Sequence, residues 1–462
     1  MSSQRTTLIV AGLVAVITVS AASFVVAQDR TTTIKRITDA SPAAPGMAWT
    51  TDVSESGLDG AVFADPRTGS MFSWGAGSIR IDDTLLTLAV VPDDLTTSSD
   101  AVMMSIDAAT GDLLWTAPAD DVAACADQPL DGRLVCQIPT FGENPGLLTF
   151  DVATGESHHY ESAPDIFAAT VANGSVYVAE GNLEDADVML HRGTLDDYDA
   201  DWSVGLDVWA GWEDQYADQL VVGEDSGHFD LGGDFSTFDA QTGNGLWSTD
   251  ILDDCLIAQY RTLDDVSVAS NFDCDGDSSI VTGTTAYTSD GTVLATSSGP
   301  AIHYLSIDEP SDVSVPVVLG DGAFDRRTGE QLWRSDELTM AQPATEWTEE
   351  TVRGTLVAVV GDVGVMSGDA RLSGLDLRSG EQLWSTEGTG SILARDGDRL
   401  LVSGGGNLGA LDVRTGEQLW SAEYSKMTPD ESTTLDTAVD AHDGTYLLQS
   451  GSTLARLEPL PT

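Results

Sequence analysis

Four groups of residues in this 462-residue chain have types and spacings suited to chemistry. His158-His159 is an adjacent imidazole pair that invites a metal-ion reading. Its place at the end of a hairpin-like segment makes an exposed structural pair the plainer expectation, and His191, His228, His303 and His442 are scattered without partner spacing. Asp273, Asp275 and Asp277 in the segment DCDGD set hard oxygen donors at alternate positions, as a calcium loop does. Against that, Gly276 comes too early for an EF-hand, no bidentate Glu follows at the required distance, and Cys274 intrudes. An acid-rich turn is expected, with the three aspartates kept as weak metal candidates. Trp209 and Trp212 in DVWAGWED would line a partner surface or, more simply, pack within a strand. The glycines around Gly405 lack a following helix and so make a strand turn, not a phosphate loop.

Cysteine chemistry comes next. Cys125, Cys136, Cys255 and Cys274 are even in number and fall in two close pairs. Bridges Cys125–Cys136 and Cys255–Cys274 are expected in an oxidising compartment, with the other two connectivities still open. No CxxC spacing or nearby His supports a zinc site.

Charge narrows the partners. The chain carries 75 Asp+Glu against 20 Lys+Arg, a formal net charge of −55. Such a surface repels phosphate backbones and anionic lipid, so nucleic acid is excluded as a partner. The acids are spread along the chain, as in a heavily hydrated surface. Hydrophobic types make up 41% of residues, enough for a large core.

Residues 6–27, TTLIVAGLVAVITVSAASFVVA, contain no charge and are long enough to span a hydrocarbon core of about 30 Å as a helix. A transmembrane signal-anchor is expected there, preceded by a short cytoplasmic tail at 1–5 and followed by a linker at 28–47. Cleavage after Ala27, giving a secreted protein, is the alternative. Both place residues 48–462 outside the cytoplasm.

The elements that hold these groups are legible from an internal repeat. IDAATGDLLW ends at Trp115 and FDAQTGNGLW at Trp247, and FDRRTGEQLW, LDLRSGEQLW and LDVRTGEQLW end at Trp333, Trp384 and Trp420. Each copy sets Asp eight residues before Trp: Asp107, Asp239, Asp325, Asp376 and Asp412. Gly111, Gly243, Gly329, Gly380 and Gly416 hold the turn position. Weaker copies run to Tyr160, Trp202 and Leu294, so the period is 36–51 residues. Alternating β-rich segments lead into each Asp, and Asp, Thr and Gly are turn formers, so each copy is a hairpin. Two more strand-like runs separate successive copies, and long amphipathic helices are absent. This describes four-stranded antiparallel blades of an all-β, closed propeller, each packing its Trp on the next sheet.

Ala48-Trp49-Thr50 reads as an orphan last strand, and TYLLQSG and TLARLEP near the C-terminus as middle strands lacking one. Their pairing would close the ring and remove its edges. The Trp intervals number nine, but the first is long and holds an extra hairpin-like piece, FADPRTGSMFSW. Eight blades are expected, with seven to nine open. Both proposed disulfides would join the first and second strands of a blade.

The phrase D-x-x-T-G-x-x-L-W resembles the repeat of PQQ-like β-propellers, a family of quinoprotein dehydrogenases and of non-catalytic exported proteins. The resemblance runs from Trp49 to the C-terminus. The family's enzymes carry a vicinal Cys-Cys pair, a calcium held by Glu and Asn and a catalytic Asp; this chain has no adjacent cysteines. No cofactor, metal or catalytic residue is therefore carried over. The resemblance implies a monomeric, envelope-anchored binding or scaffolding module for a protein or cell-envelope ligand. A quinone- or metal-dependent dehydrogenase with a degenerate site is the alternative.

Overall fold

The computed structural model describes residues 34–461 apart from 71–74, 93–97, 140–144, 163–164, 183–186, 207–219, 232–233, 250–260, 263–264, 274–279, 299–302, 304, 339–353, 369–370, 389, 428–436 and 443. The expected membrane segment at 6–27 lies outside the described residues, and among the described ones no helix is long and apolar enough to cross a membrane.

The described strands form nine sheets. Blade 1 runs from Val62–Ala64 to Leu113–Pro118, blade 2 from Ala124–Cys125 to Ser157–Glu161, and blade 3 from Asp165–Ala172 to Trp202–Leu206. Blade 4 runs from Leu220–Val222 to Gly245–Thr249 and blade 5 from Arg261–Thr262 to Val293–Ser297. Blade 6 runs from Val317–Leu319 to Gln331–Arg334, blade 7 from Thr355–Gly361 to Gln382–Glu387, and blade 8 from Ser391–Asp396 to Gln418–Glu423. Blade 9 combines Thr437–His442, Thr445–Ser450 and Thr453–Glu458 with the N-terminal strand Gly46–Asp52. That last strand pairs antiparallel with Thr453–Glu458, which is the closure the two termini foretold.

Nine blades replace the expected eight. The drifted copies ending at Trp202 and Leu294 each close a sheet of their own, so every Trp interval is a blade. The extra phrase near the N-terminus adds none, because it interrupts blade 1's first strand. Val62–Ala64 pairs with one half of Thr84–Pro92 and Ile79–Ile81 with the other. Between them Asp65-Pro66-Arg67-Thr68-Gly69 repeats the turn chemistry of the hairpins, with Gly69 N donating to Asp65 O at 3.0 Å.

Blade 6 departs from the four-stranded plan. The strand that precedes it, Ile307–Pro310, pairs parallel with Thr355–Gly361 of blade 7, which leaves blade 6 three strands and gives blade 7 five.

Alternation within each strand sends one set of side chains to each neighbouring blade. Eight buried clusters follow, each spanning one junction. Leu134 and Phe150 of blade 2 meet Leu86 and Met103 of blade 1, and Leu447 and Leu454 of blade 9 meet Phe63 and Met104 of blade 1. Equivalent clusters join blades 2–3, 3–4, 5–6, 6–7, 7–8 and 8–9. The ninth junction, between blades 4 and 5, is bridged by Trp247 stacked on Tyr287 at 5.0 Å. The ring is closed. First strands of neighbouring blades touch at 2–3, 3–4 and 8–9, which puts them at the axis and the Trp-bearing strands at the rim.

Candidate functional site

The repeat residues prove to be junction hardware. Asp107 Oδ1 accepts from the backbone N–H groups of Ala109 and Thr110 at 2.9 and 2.8 Å, and Asp239, Asp325, Asp376 and Asp412 cap their turns alike. The turn Gly then takes a positive φ, +75° at Gly111 and +65° at Gly416, where glycine alone is unstrained. It also sits against the Trp of the preceding blade: a Cβ at Gly111 would lie 2.6 Å from the Trp49 ring, and one at Gly416 2.5 Å from Trp384. Gly155, Gly243, Gly291 and Gly380 receive Trp115, Trp202, Trp247 and Trp333 in the same way.

A hydrogen bond completes the contact. The residue after Asp turns its carbonyl toward the incoming indole. Nε1 of Trp49, Trp115, Trp333 and Trp384 donates to Ala108, Val152, Leu377 and Val413 at 3.2, 3.0, 2.7 and 2.8 Å. Hydrogen bonds to the turn amides and Thr hydroxyls hold the carboxyls of Asp151 and Asp239 below the usual carboxylate range. The expected repeat residues therefore serve the ring, with their polar groups already spent on it.

Where the phrase drifts, other polar contacts take over. Blade 3 has no Asp-Thr-Gly turn, and its junction with blade 2 holds a cluster of His191, Glu180, Tyr198 and Ser203 instead. Ser203 Oγ lies 2.7 Å from His191 Nδ1, and His191 Nε2 lies 3.2 Å from Glu180 Oε1. Tyr198 donates to Glu180 Oε2 at 2.6 Å. Burial pushes Glu180 up, but hydrogen bonds from His191 and Tyr198 outweigh it and hold its carboxyl below the ordinary value. Burial and the adjoining Glu180 push the Tyr198 hydroxyl up to about 12. The order Ser–His–Glu is that of a nucleophile relay. None of the cavities described below touches it, and Glu180 accepts from Tyr198 and Ser162 while His191 approaches as an ion-pair partner, so its carboxylate is held by the junction itself.

At the 3–4 junction Tyr177 Oη donates to Ala240 O at 3.0 Å, and Arg192 reaches the same carbonyl. The Trp202 indole N–H, which that carbonyl would otherwise accept, is buried without a partner among the described residues, as is that of Trp247. At the 5–6 junction Leu294 stands where other blades have Trp, and buried Arg326 forms an ion pair with Asp265.

Cys125 and Cys136 are bonded, and they sit opposite each other on the first two strands of blade 2. Both lie in the buried core between blades 1 and 2, at 5% and 1% exposure. A quinone does not fit this cysteine pair: it is cross-strand, not vicinal, and it offers no exposed surface. Cys255 and Cys274 lie outside the described residues, as do Asp275, Asp277, Trp209, Trp212 and the side chain of Asp273. Among the described residues no cluster of three or more His, Cys, Asp or Glu suits a metal ion. His158 and His159, on blade 2's rim strand, alternate to opposite faces, and His158 is exposed.

Besides a cavity of about 500 Å³ beside Glu337, Arg371 and Gln382, two cavities among the described residues contain polar groups that the repeat does not consume. One, of about 310 Å³, lies where the first strands of blades 9, 1 and 2 approach the axis, with Arg67, Arg80, Asp127 and Asp440 on its walls. Arg67 is held bidentate by Asp65, so its charge is already matched. The other, of about 340 Å³, is a cleft between blades 4 and 5 walled by Val221, Glu224, Asp225, His228, Leu246 and Trp247. Burial alone lowers the His228 imidazole to about 4, so the ring is neutral at physiological pH. Sequence reasoning passed over His228 and the His191 cluster. The facing of His191 and Ser203 is readable only once the hairpin register is known.

The rim carries a further pattern. Leu114, Leu246, Val293, Leu332 and Leu383 each directly precede the Trp or Leu that enters the next blade, and their exposures are 51, 39, 58, 48 and 42%.

Closed blades, Trp-on-Gly junctions and a strand shared between termini define a β-propeller whose repeats are of the PQQ-like type. The family model described as outer membrane protein assembly factor BamB matches residues 322–460, the arc from blade 6 to blade 9, and supports reading the repeats as PQQ-like. No curated protein matches the chain. Among solved structures it is similar to BamB from Moraxella catarrhalis, at 12% identity and TM-score 0.45, covering 90% of this chain and 98% of that one. The computationally designed Ika8 protein is 13% identical with TM-score 0.44, covering 87% and 98%. Apo AztD from Citrobacter koseri is 11% identical with TM-score 0.39, covering 78% and 95%.

Proposed function

We propose that this chain is an extracytoplasmic binding and scaffolding propeller that engages a protein partner through its rim. The observation that carries the reading is the register of exposed apolar side chains. Single exposed leucines are ordinary. Here Leu246, Val293, Leu332 and Leu383 recur at one position on the rim strands of four successive blades, 4 to 7. On a surface of net charge −55 such a stripe favours a protein face over a small hydrophilic ligand. The description of the matching family, an assembly factor, supports a role among protein partners. The apolar segment at 6–27 and the buried Cys125–Cys136 bridge support an export route, with the segment as a single-pass anchor and the propeller as a monomer.

Crosslinking in intact cells followed by affinity capture tests the reading. A discrete partner should be recovered with the wild-type chain and lost with Leu332→Ser/Leu383→Ser. Unchanged capture by that variant, or a stoichiometric chromophore with alcohol oxidation after PQQ and Ca²⁺ are added, would overturn it.

A further inference from the structure

Among the described residues, the seam between blades 4 and 5 differs from the other eight. No buried cluster spans it among the described residues, and the stacked Trp247–Tyr287 pair holds it. The walls stand apart there and leave the cleft of about 340 Å³. Its two ends carry exposed apolar side chains, Val221 at 49% and Leu246 at 39%. Deeper in, His228 packs on Phe235, and neither ring nitrogen meets a hydrogen-bonding partner among the described residues. A neutral imidazole left that way offers one donor and one acceptor to an incoming backbone.

Glu224 and Asp225 edge the cleft, both exposed and without an ion-pair partner among the described residues. A third acid, Asp265, is committed to Arg326. The two unpaired acids are also preorganised. Asn173 of blade 3 donates to Gly223 O at 2.9 Å, and Asp225 O accepts from Ala240 N at 3.0 Å, so the acidic turn is held from both sides. Thr237 and Trp247 are tied through Thr237 Oγ1 at 3.1 and 3.2 Å, which fixes the outer part of the blade 4 wall.

We infer that the cleft between blades 4 and 5 receives a short basic segment of a partner protein, with apolar side chains at Val221 and at Leu246 and a Lys or Arg at Glu224 and Asp225. The inference rests on the partner-binding reading above and names the chemistry of the segment. Both rims of charge favour it: the local carboxylates pair the cation, and the field of a −55 chain steers it in. Trp247 does not offer a stacking platform, because Tyr287 covers one face at 5.0 Å and Phe235 approaches at 5.3 Å. That argues against a sugar ring on the indole. The small volume suits a few side chains, at the low end of the roughly 300–1,000 Å³ of ligand sites.

The probe is a fluorescein-labelled peptide of alternating Leu and Lys, with Ser/Lys and Leu/Glu peptides of equal length as comparisons. Binding to the full chain is read by anisotropy at about 0.15 M salt, where long-range attraction is screened. The Leu/Lys probe should bind most tightly. Glu224→Lys/Asp225→Lys and Val221→Ser/Leu246→Ser should each weaken it at least roughly tenfold, as removal of a charge partner or an apolar anchor does. The charge-matched control Glu381→Lys/Glu417→Lys, on the hairpins of blades 7 and 8, should stay within about twofold. Equal weakening by the control and the cleft variants, or equal binding of Leu/Lys and Ser/Lys peptides, would overturn the inference by reducing the effect to bulk polyanion attraction. Cellular capture separates the two readings. A partner lost with Leu332→Ser/Leu383→Ser but kept with Glu224→Lys/Asp225→Lys sinks the cleft and leaves the scaffold standing.

Discussion

Blades 7 and 8 and blades 3 to 5 solve one problem in two ways. In the first region each junction is the same part used again: Asp caps a turn, Gly opens a seat, and a Trp enters and donates its N–H to the waiting carbonyl. In the second the glycine seats for Trp202 and Trp247 persist, but the polar contacts differ from junction to junction. His191 and Glu180 stand in for a missing turn, Tyr177 takes the carbonyl meant for Trp202, and Arg326 crosses to Asp265 where a Trp is absent. The comparison teaches that the regular phrase is one sufficient solution, and that leaving it releases surface for other uses. The less regular arc contains the open cleft, whereas the BamB family model matches residues 322–460.

Substitutions sharpen the contrast. Trp384→Ala should have the largest effect, about 3–5 kcal/mol in urea unfolding, since it empties a buried seat and orphans Val413 O. Arg326→Ala should cost about 2 kcal/mol, less than the roughly 3–5 of a fully buried pair because Asp265 is one-third exposed. The finest discrimination comes from Trp→Phe. At Trp384 it removes a hydrogen bond worth about 1 kcal/mol, whereas at Trp247, whose indole N–H has no partner among the described residues, the polar loss should be near zero. Equal costs at both sites would mean that the two arcs do not differ in the way described.

The smallest effect is in pH dependence. The folded Glu180 carboxyl titrates below its unfolded value of about 4.3. Its ionised form therefore adds stability that is complete above that pH and fades as pH falls through the folded value. Glu180→Gln should flatten the acid limb of the stability curve, and an unchanged limb would show that the plug between blades 2 and 3 is not titrating.

Much of the ring was legible in the chain. The Asp-to-Trp spacing, the turn glycines and the strand shared by Trp49 and the C-terminus describe local geometry, and local geometry is what residue types encode. The blade number was not, because the spacing of copies does not fix how many share a circle and family habit suggested eight. The closing strand accepts any count, so the nine Trp intervals were the better guide. Blade 1's interrupted first strand was opaque for a related reason: Asp65 to Gly69 repeats the turn chemistry of a hairpin without a sheet of its own. The His191 cluster and the His228 cleft arise from strands aligned across a register or a seam, and neither alignment leaves a mark in linear spacing.

Sharing the last sheet between the two ends has a temporal consequence. Gly46–Asp52 is synthesised before the other eight blades, but its partner Thr453–Glu458 only after them. At about 5–20 residues per second the early strand waits on the order of tens of seconds with its ladder groups unpaired. During that wait it is an open invitation to another copy's late strand, and a chaperone covering those few residues would decide between a finished wheel and a swapped pair.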